Sequence, residues 1–236
     1  MNERERLVKG WNWEGFFEYL TNYYLFEGAL VTLGLTVFAM TAGLILGFFV
    51  ALMRMSRYKI LSVPANLYIW IFRGTPLLVQ LIIIYTGLPQ MGIKFTVIQS
   101  TLIGLALCEA AYLAEIIRAG ISAVSRGQIN AARAIGMRES QVMRYVVAPQ
   151  ALRIIIPPLG NSVNSVLKTT SIASIISMEE LLRRTQVLIQ EKFLVLELFA
   201  VAALYYLAMT TAWDLIQRRI EKRFGKAYGP MSVDAH

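Results

Sequence analysis

Glu109 and Glu115 stand in the stretch Val97 to Ile117, which otherwise carries no charge. Six residues of helix turn through about 240°, so the two carboxylates point to different faces. Glu115 has Arg118 one turn on, a spacing that permits an ion pair, and the two read as a structural pair. Glu109 has no local partner, and a lone ionisable group inside an apolar run is a functional candidate by default. Further along, Asn161, Asn164, Ser165, Lys168 and Ser171 recur at steps of three or four, which lays one polar stripe along an otherwise aliphatic helix. Such a stripe either lines a bundle interior or water-filled path, or hydrogen-bonds neighbouring helices. Opposite charges at Glu109 and Lys168 along one path would suit a zwitterion; the competing reading is a simple buried ion pair.

A second kind of chemistry is suggested by RGQINAARAIG at 126–136, a polar, alanine-rich insert between greasy segments. Gln128 to Ile135 is a good helix former, Gly136 is placed to end it at positive φ, and Glu139 to Ala148 resumes helical character before Pro149 stops it. The pattern predicts two short helices joined at a glycine bend. Ala131 and Ala132 leave a surface that a partner's backbone could approach, ringed by Arg126, Arg133, Arg138 and Arg144. It reads as a hard basic knob for a protein partner, or as an amphipathic hairpin resting on anionic headgroups.

These groups must be held by membrane helices. Of 236 residues 56% are hydrophobic and 16% charged, and a spanning helix needs roughly 20 mostly apolar residues. Leu30 to Met53, Val97 to Ile117 and Val195 to Ile216 supply such runs. Leu61 to Leu88 is long enough but interrupted by Arg73, Gly74 and Pro76, and Leu152 to Ile176 is poor in apolar residues because it carries the stripe. Pro157 and Pro158, lacking amide hydrogens, kink that segment or mark its start, the start being the preferred role. Ala39, Gly43, Gly47 and Ala51, at every fourth position, let helix backbones pack closely.

Basic residues collect on the cytoplasmic side. Arg54, Arg57 and Lys59 follow the first run, six arginines against Glu139 fill Arg118 to Arg153, and a basic tail follows Gln217. Met1 to Glu27 has three bases against five acids, and Ser177 to Lys192 is balanced. The signs separate with five spans, the N-terminus outside and the C-terminus inside. The expected fold is an all-α membrane protein: an interfacial segment over 1–27, rich in Trp, Phe and Tyr, a transmembrane domain over 28–218 with a cytoplasmic loop at 121–150, and a basic tail over 219–236. An alternative for the first segment is a packed N-terminal arm.

Several functions are excluded. The net charge of +8 is a topology signal, since no aqueous segment is long enough to form a nucleic-acid-binding domain. Cys108 is the single cysteine and His236 the single histidine, which leaves no internal disulfide and no histidine metal site. No Walker A sequence is present, so the chain does not hydrolyse ATP by a P-loop; no catalytic residue and no metal ligand is expected.

The order GxxNAARAIGM, then APQALRIIIPPLGN, resembles the coupling loop of permease subunits from binding-protein-dependent ABC importers. IFRGTPLLVQ at 71–80, AYLAEIIRAGI at 111–121 and LKTTSIASIIS at 167–177 are similar to the polar amino-acid branch, which includes histidine, arginine, glutamine and glutamate importers. The resemblance implies a bacterial inner-membrane permease with no cofactor of its own. It further implies a cytoplasmic ATPase holding ATP and Mg, a second permease chain, identical or related, and a periplasmic or lipid-anchored amino-acid receptor. Gln128, Asn130, Ala131, Ala132, Arg133, Gly136 and Met137 would then form the ATPase-coupling element. Glu109, Asn161, Asn164, Lys168, Thr169, Thr170 and Ser171 would form the substrate path. Three positions depart from the family pattern: Asn130 replaces a usual glutamate, Glu109 a small or neutral residue, and Thr169 an aspartate that often follows the lysine. A carboxylate relocated from the fourth span to the third is the expectation from the last two. The rival function is an ion-driven secondary amino-acid transporter, for which the basic insert has no task.

Overall fold

The computed structural model describes residues 10–225. Expectations that rest on residues 1–9 and 226–236, including Lys226, Asp234 and His236, lie outside the described residues. Helix α1 (Trp13–Leu20) is followed by α2 (Tyr23–Met55), α3 (Lys59–Gly74), α4 (Leu77–Ile82) and α5 (Val97–Ser122). Then come α6 (Arg126–Ala134), α7 (Glu139–Gln141), α8 (Ala148–Thr169), α9 (Leu181–Lys192) and α10 (Val195–Gly225). Single π-helical stretches follow α4 and α7, and 3₁₀ turns occupy Leu88–Met91 and Thr170–Ile176. No strand occurs among the described residues.

Helices α2, α5 and α10 are each long and apolar enough to cross a bilayer, and Lys59–Gly74 with Leu77–Met91 passes the same test only as a pair. That makes three or four candidate spans where the charge pattern predicts five. The expected span that is not among them is α8, whose polar stripe lowers its hydropathy.

Two sequence expectations about proline fail. Pro149 does not stop a helix: the π-helical stretch Val142–Val147 runs directly into α8, and Pro149 lies just past that junction inside the continuous run. Pro157 and Pro158 lie inside α8, not at its start. The turn beyond them is tied down by side chains of α10, with Trp213 Nε1 donating to the Gly160 carbonyl at 2.8 Å and Gln217 Nε2 to the Pro157 carbonyl at 3.4 Å. Helix α10 also continues to Gly225, through the first residues assigned to the tail.

The chain forms two compact units. The first contains residues up to Met40, Thr75–Ala106 and Val166–Thr211. Its core joins Leu25 and Ala29 of α2, Leu181 and Leu188 of α9, and Leu198 and Val201 of α10. Helix α1 docks there: Asn12 caps it through Gly15 N at 2.9 Å and donates its own amide to Glu197 at 2.7 Å. Tyr19 is buried in this core with Phe16 and Leu20 against it, while Trp13 and Phe17 face outward. The segment is thus a packed arm that keeps an exposed aromatic face.

The second unit contains Thr41–Gly74, Leu107–Ser165 and the chain from Ala212 on. Here Gly47 lies so close to α5 that a Cβ would stand 2.8 Å from the Ala110 carbonyl oxygen, and one on Gly43 would stand 3.1 Å from the Glu109 Cβ and Cγ. The every-fourth small residues of α2 pack two helices at backbone distance. Ala51 and Ala114, both fully buried, extend that contact with Ile69 and Ile117.

Candidate functional site

The polar stripe of α8 divides into two environments. In the second unit Asn164 Nδ2 donates to the Asp214 carboxylate, and Asn161 accepts from Gln217 Nε2 at 3.4 Å. These two residues hydrogen-bond a neighbouring helix. In the first unit Lys168 and Ser171 line a cavity of about 420 Å³ with Ala203, Tyr206, Leu207 and Thr210. The cavity offers one ammonium and three hydroxyls. Lys168 forms no salt bridge among the described residues. Of the remaining expected path residues, Thr170 is buried with its hydroxyl donating to the Leu167 carbonyl at 2.9 Å, and Thr169 is half-buried at the end of α8.

Tyr206 is fixed from behind. Its hydroxyl donates to Glu180 Oε2 at 3.0 Å, and Glu180, fully buried, accepts the Arg183 amide at 2.8 Å and so caps α9. Thr32 completes the network by accepting the Leu181 amide at 3.3 Å. A buried carboxylate with several donors is well satisfied, and it holds one wall of the cavity rigid.

Glu109 is 9% exposed, its stem against Gly43, with Ser162 in hydrogen-bonding position; its Oε1 has no hydrogen-bond partner. No base pairs with it among the described residues. Glu115 is the opposite case. Arg118 Nε lies 3.0 Å from its Oε1, Arg54 contacts the same oxygen, and Arg73 Nη1 stands 3.6 Å from Oε2. Local spacing indicates only Arg118; the other two arrive from α2 and α3.

The insert forms the expected helix and glycine bend. Gly136 has φ +85°, and Arg133 closes the bend with two hydrogen bonds to Glu139, at 2.7 and 3.0 Å. Gln128, Asn130 and Ala131 are exposed. Ala132 is not: it is buried among Val124, Val142, Val147, Ala151 and Ile155, with Ile129 and Met137 against them. The expectation that both alanines face outward is corrected by helical period, since Ile129 and Ala132 share the inner face. The exposed apolar residue is Ile135, at 80%.

Sequence reading passed over Asp214, Tyr206 and Thr210. Asp214 sits in an apolar run and carries the same signal that singled out Glu109. Tyr206 and Thr210 are four residues apart on one face of α10, a weaker signal because tyrosine and threonine are unremarkable in a span.

The family described as "Binding-protein-dependent transport system inner membrane component" matches residues 43–226. The arginine transport system permease protein of Corynebacterium glutamicum is 40% identical over 92% of this chain and 73% of its own length. The putative glutamine transport system permease protein of Rickettsia bellii is 38% identical over 88% of this chain and 98% of its own. A crystal structure of an amino acid ABC transporter with histidines is 38% identical and superimposes with a TM-score of 0.86, covering 91% of this chain and all of that one. The ion-driven alternative falls with these matches. The chain belongs to this family and is an inner-membrane permease subunit of a binding-protein-dependent ABC transport system, whose ATPase is a separate subunit.

Proposed function

We propose that the chain is the permease subunit of an ATP-driven importer for polar amino acids. The observation that carries this reading is the likeness, over nearly the whole chain, to permeases named for arginine and glutamine and to an amino acid ABC transporter. In this reading the chain crosses the membrane five times, with the N-terminus outside and the C-terminus inside. Helix α8 supplies the span that hydropathy alone misses, because its polar face is turned away from lipid. The transmembrane domain covers 28–218, preceded by an interfacial arm and followed by a basic cytoplasmic tail.

Lys168 attracts the substrate carboxylate, and the Ser171, Tyr206 and Thr210 hydroxyls, whose hydrogens go to the Lys168 carbonyl, Glu180 and the Tyr206 carbonyl, offer oxygen acceptors to the substrate ammonium; the cavity they line supports this role. Asn161 and Asn164, hydrogen-bonded to α10, and Thr169 and Thr170 position the helix that carries Lys168, and Glu109 is a further proposed path residue. The hairpin of Gln128, Asn130, Ala131, Arg133, Gly136 and Met137, with Ala132 as its internal packing, is the coupling element seated on the ATPase. Five spans enclose a path poorly, so a second permease chain completes it, and a periplasmic or lipid-anchored receptor delivers the substrate. ATP and Mg²⁺ are held by the ATPase.

The test is ATP-driven uptake of labelled amino acids in proteoliposomes containing this chain, its ATPase and its receptor. Gly136→Pro abolishes uptake while the complex still assembles, because proline holds φ near about −65° and cannot follow the +85° bend. Uptake that persists without ATP, or survives this substitution, would overturn the proposal.

A further inference from the structure

Within the second unit a cavity of about 260 Å³ opens between α3, α5 and α8, lined by Arg73, Glu115, Arg118 and, on its apolar walls, Ile116, Ile154 and Pro158. The charges around it do not balance. Arg54, Arg73 and Arg118 converge on the single carboxylate of Glu115, which leaves two positive charges in excess. Each guanidinium carries several N–H donors, and one carboxylate cannot satisfy three. Arg118 forks across both oxygens at 3.0 and 3.4 Å, Arg54 takes Oε1 as well, and Arg73 reaches Oε2 only at 3.6 Å. Arg73 is held in place by the Tyr112 ring, 5.4 Å below its guanidinium, and its side chain keeps 42% of its exposure.

Excess cationic charge beside apolar walls is costly unless an anion completes it. Guanidinium forks match the oxygens of a phosphate and bind it in two-point fashion. The other walls are aliphatic, as suits the glycerol and first methylenes of a lipid. Basic pockets between transmembrane helices on the cytoplasmic side are recognised sites for anionic lipid headgroups. We propose that this cavity holds the phosphate of an anionic phospholipid headgroup, gripped by Arg73 and Arg118. Its assignment to the cytoplasmic leaflet rests on the orientation given under the proposed function; the phosphate chemistry does not.

The experiment titrates the purified, delipidated complex with phosphatidylglycerol, with phosphatidylcholine, and with soluble glycerol 3-phosphate and inorganic phosphate, reading bound lipid by native mass spectrometry and the change in Trp70 emission. Trp70 lies on the exposed side of α3, three residues before Arg73. Wild type is expected to take up phosphatidylglycerol at least about tenfold more tightly than phosphatidylcholine, the worth of one charge-assisted contact. Arg73→Gln loses that preference and Arg73→Lys keeps part of it. Arg57→Gln removes an exposed base of the preceding connection and leaves binding unchanged. Absence of any headgroup preference in wild type overturns the proposal without recourse to a variant. So does an equal loss in Arg57→Gln, which means diffuse surface attraction, and so does binding of the soluble phosphates as tight as that of the lipid. The measurement needs neither ATP nor amino acid, so a failed transport assay and a failed lipid assay are separate results.

Discussion

Glu109 and Glu115 are six residues apart on one helix and have opposite surroundings. Glu115 is enclosed by three guanidiniums, whereas Glu109 has a glycine against its stem, Ser162 beside it and one oxygen without a partner. The same side chain is therefore an anchor in one place and an unpaired polar group in the other. What separates them is the chain brought alongside: Arg54 and Arg73 reach the first, Gly43 the second. An anchored carboxylate is valued for stability, and an unanchored one at membrane depth is valued for what it does.

Removing the anchor has the largest expected effect. Glu115→Ala leaves three partly buried arginines without their counter-charge and destabilises the chain by roughly 3 kcal/mol, the low end for breaking a buried pair. The check is the thermal unfolding midpoint in detergent. A midpoint unchanged from wild type would show that the three arginines are already solvated and that the contrast with Glu109 is only apparent.

Next in size is the glycine contact. Gly47→Ala destabilises by about 1 to 3 kcal/mol, since its Cβ meets backbone. Gly43→Ala costs less, because its Cβ would stand 3.1 to 3.3 Å from Glu109 Cβ and Cγ and the Ala110 nitrogen, against 2.8 Å from backbone at Gly47. Denaturant unfolding of the two variants tests the order, and the reverse order would mean that Glu109, not the α5 backbone, is the rigid partner.

Glu109→Gln should leave stability within about 1 kcal/mol of wild type, having no ion pair to lose. It should change the ratio of cationic to neutral amino-acid uptake by about tenfold, the worth of one charged hydrogen bond. An unchanged rate and ratio in the uptake assay would place Glu109 with the packing residues and remove it from the path.

Much of this was readable from residue spacing: the apolar runs, the stripe on α8, the glycine bend at 136 and the pair of Glu115 with Arg118. Local period carries such information because it concerns neighbours within one helix. Arg54 and Arg73 lie 61 and 42 positions from Glu115, and no local pattern indicates which distant base will arrive. The same holds for Asp214, which takes Asn164 across 50 residues. Pro149, Pro157 and Pro158 misled for another reason. Their effect on a helix depends on the tertiary setting, and here a π-helical stretch leads into Pro149 while Trp213 and Gln217 tie down the turn beyond Pro157 and Pro158. Ala132 was placed outside although the Ile129–Ala132 spacing already indicated an inner face.

The smallest effect is expected at a third carboxylate, Glu139, which is exposed on the hairpin and, like Glu115, held by arginine. Its hydrogen bonds to Arg133 hold its carboxyl below the usual carboxylate range. A carboxylate depressed in this way contributes stability that is complete above its unfolded pKa and is lost only as pH falls through the lower folded value. The pair is therefore complete above the ordinary glutamate pKa and opens only as pH falls below it. Because both groups face water, salt screens the attraction and its loss changes little. Receptor-stimulated ATPase activity of Glu139→Gln is expected to stay within about twofold of wild type between about pH 5.5 and 8, where Glu139 keeps its charge in the parent. A loss as deep as that of Gly136→Pro would show that the ion pair, not the glycine bend, sets the hairpin. Arginine–carboxylate pairing would then be as structural at this exposed surface as it is around Glu115.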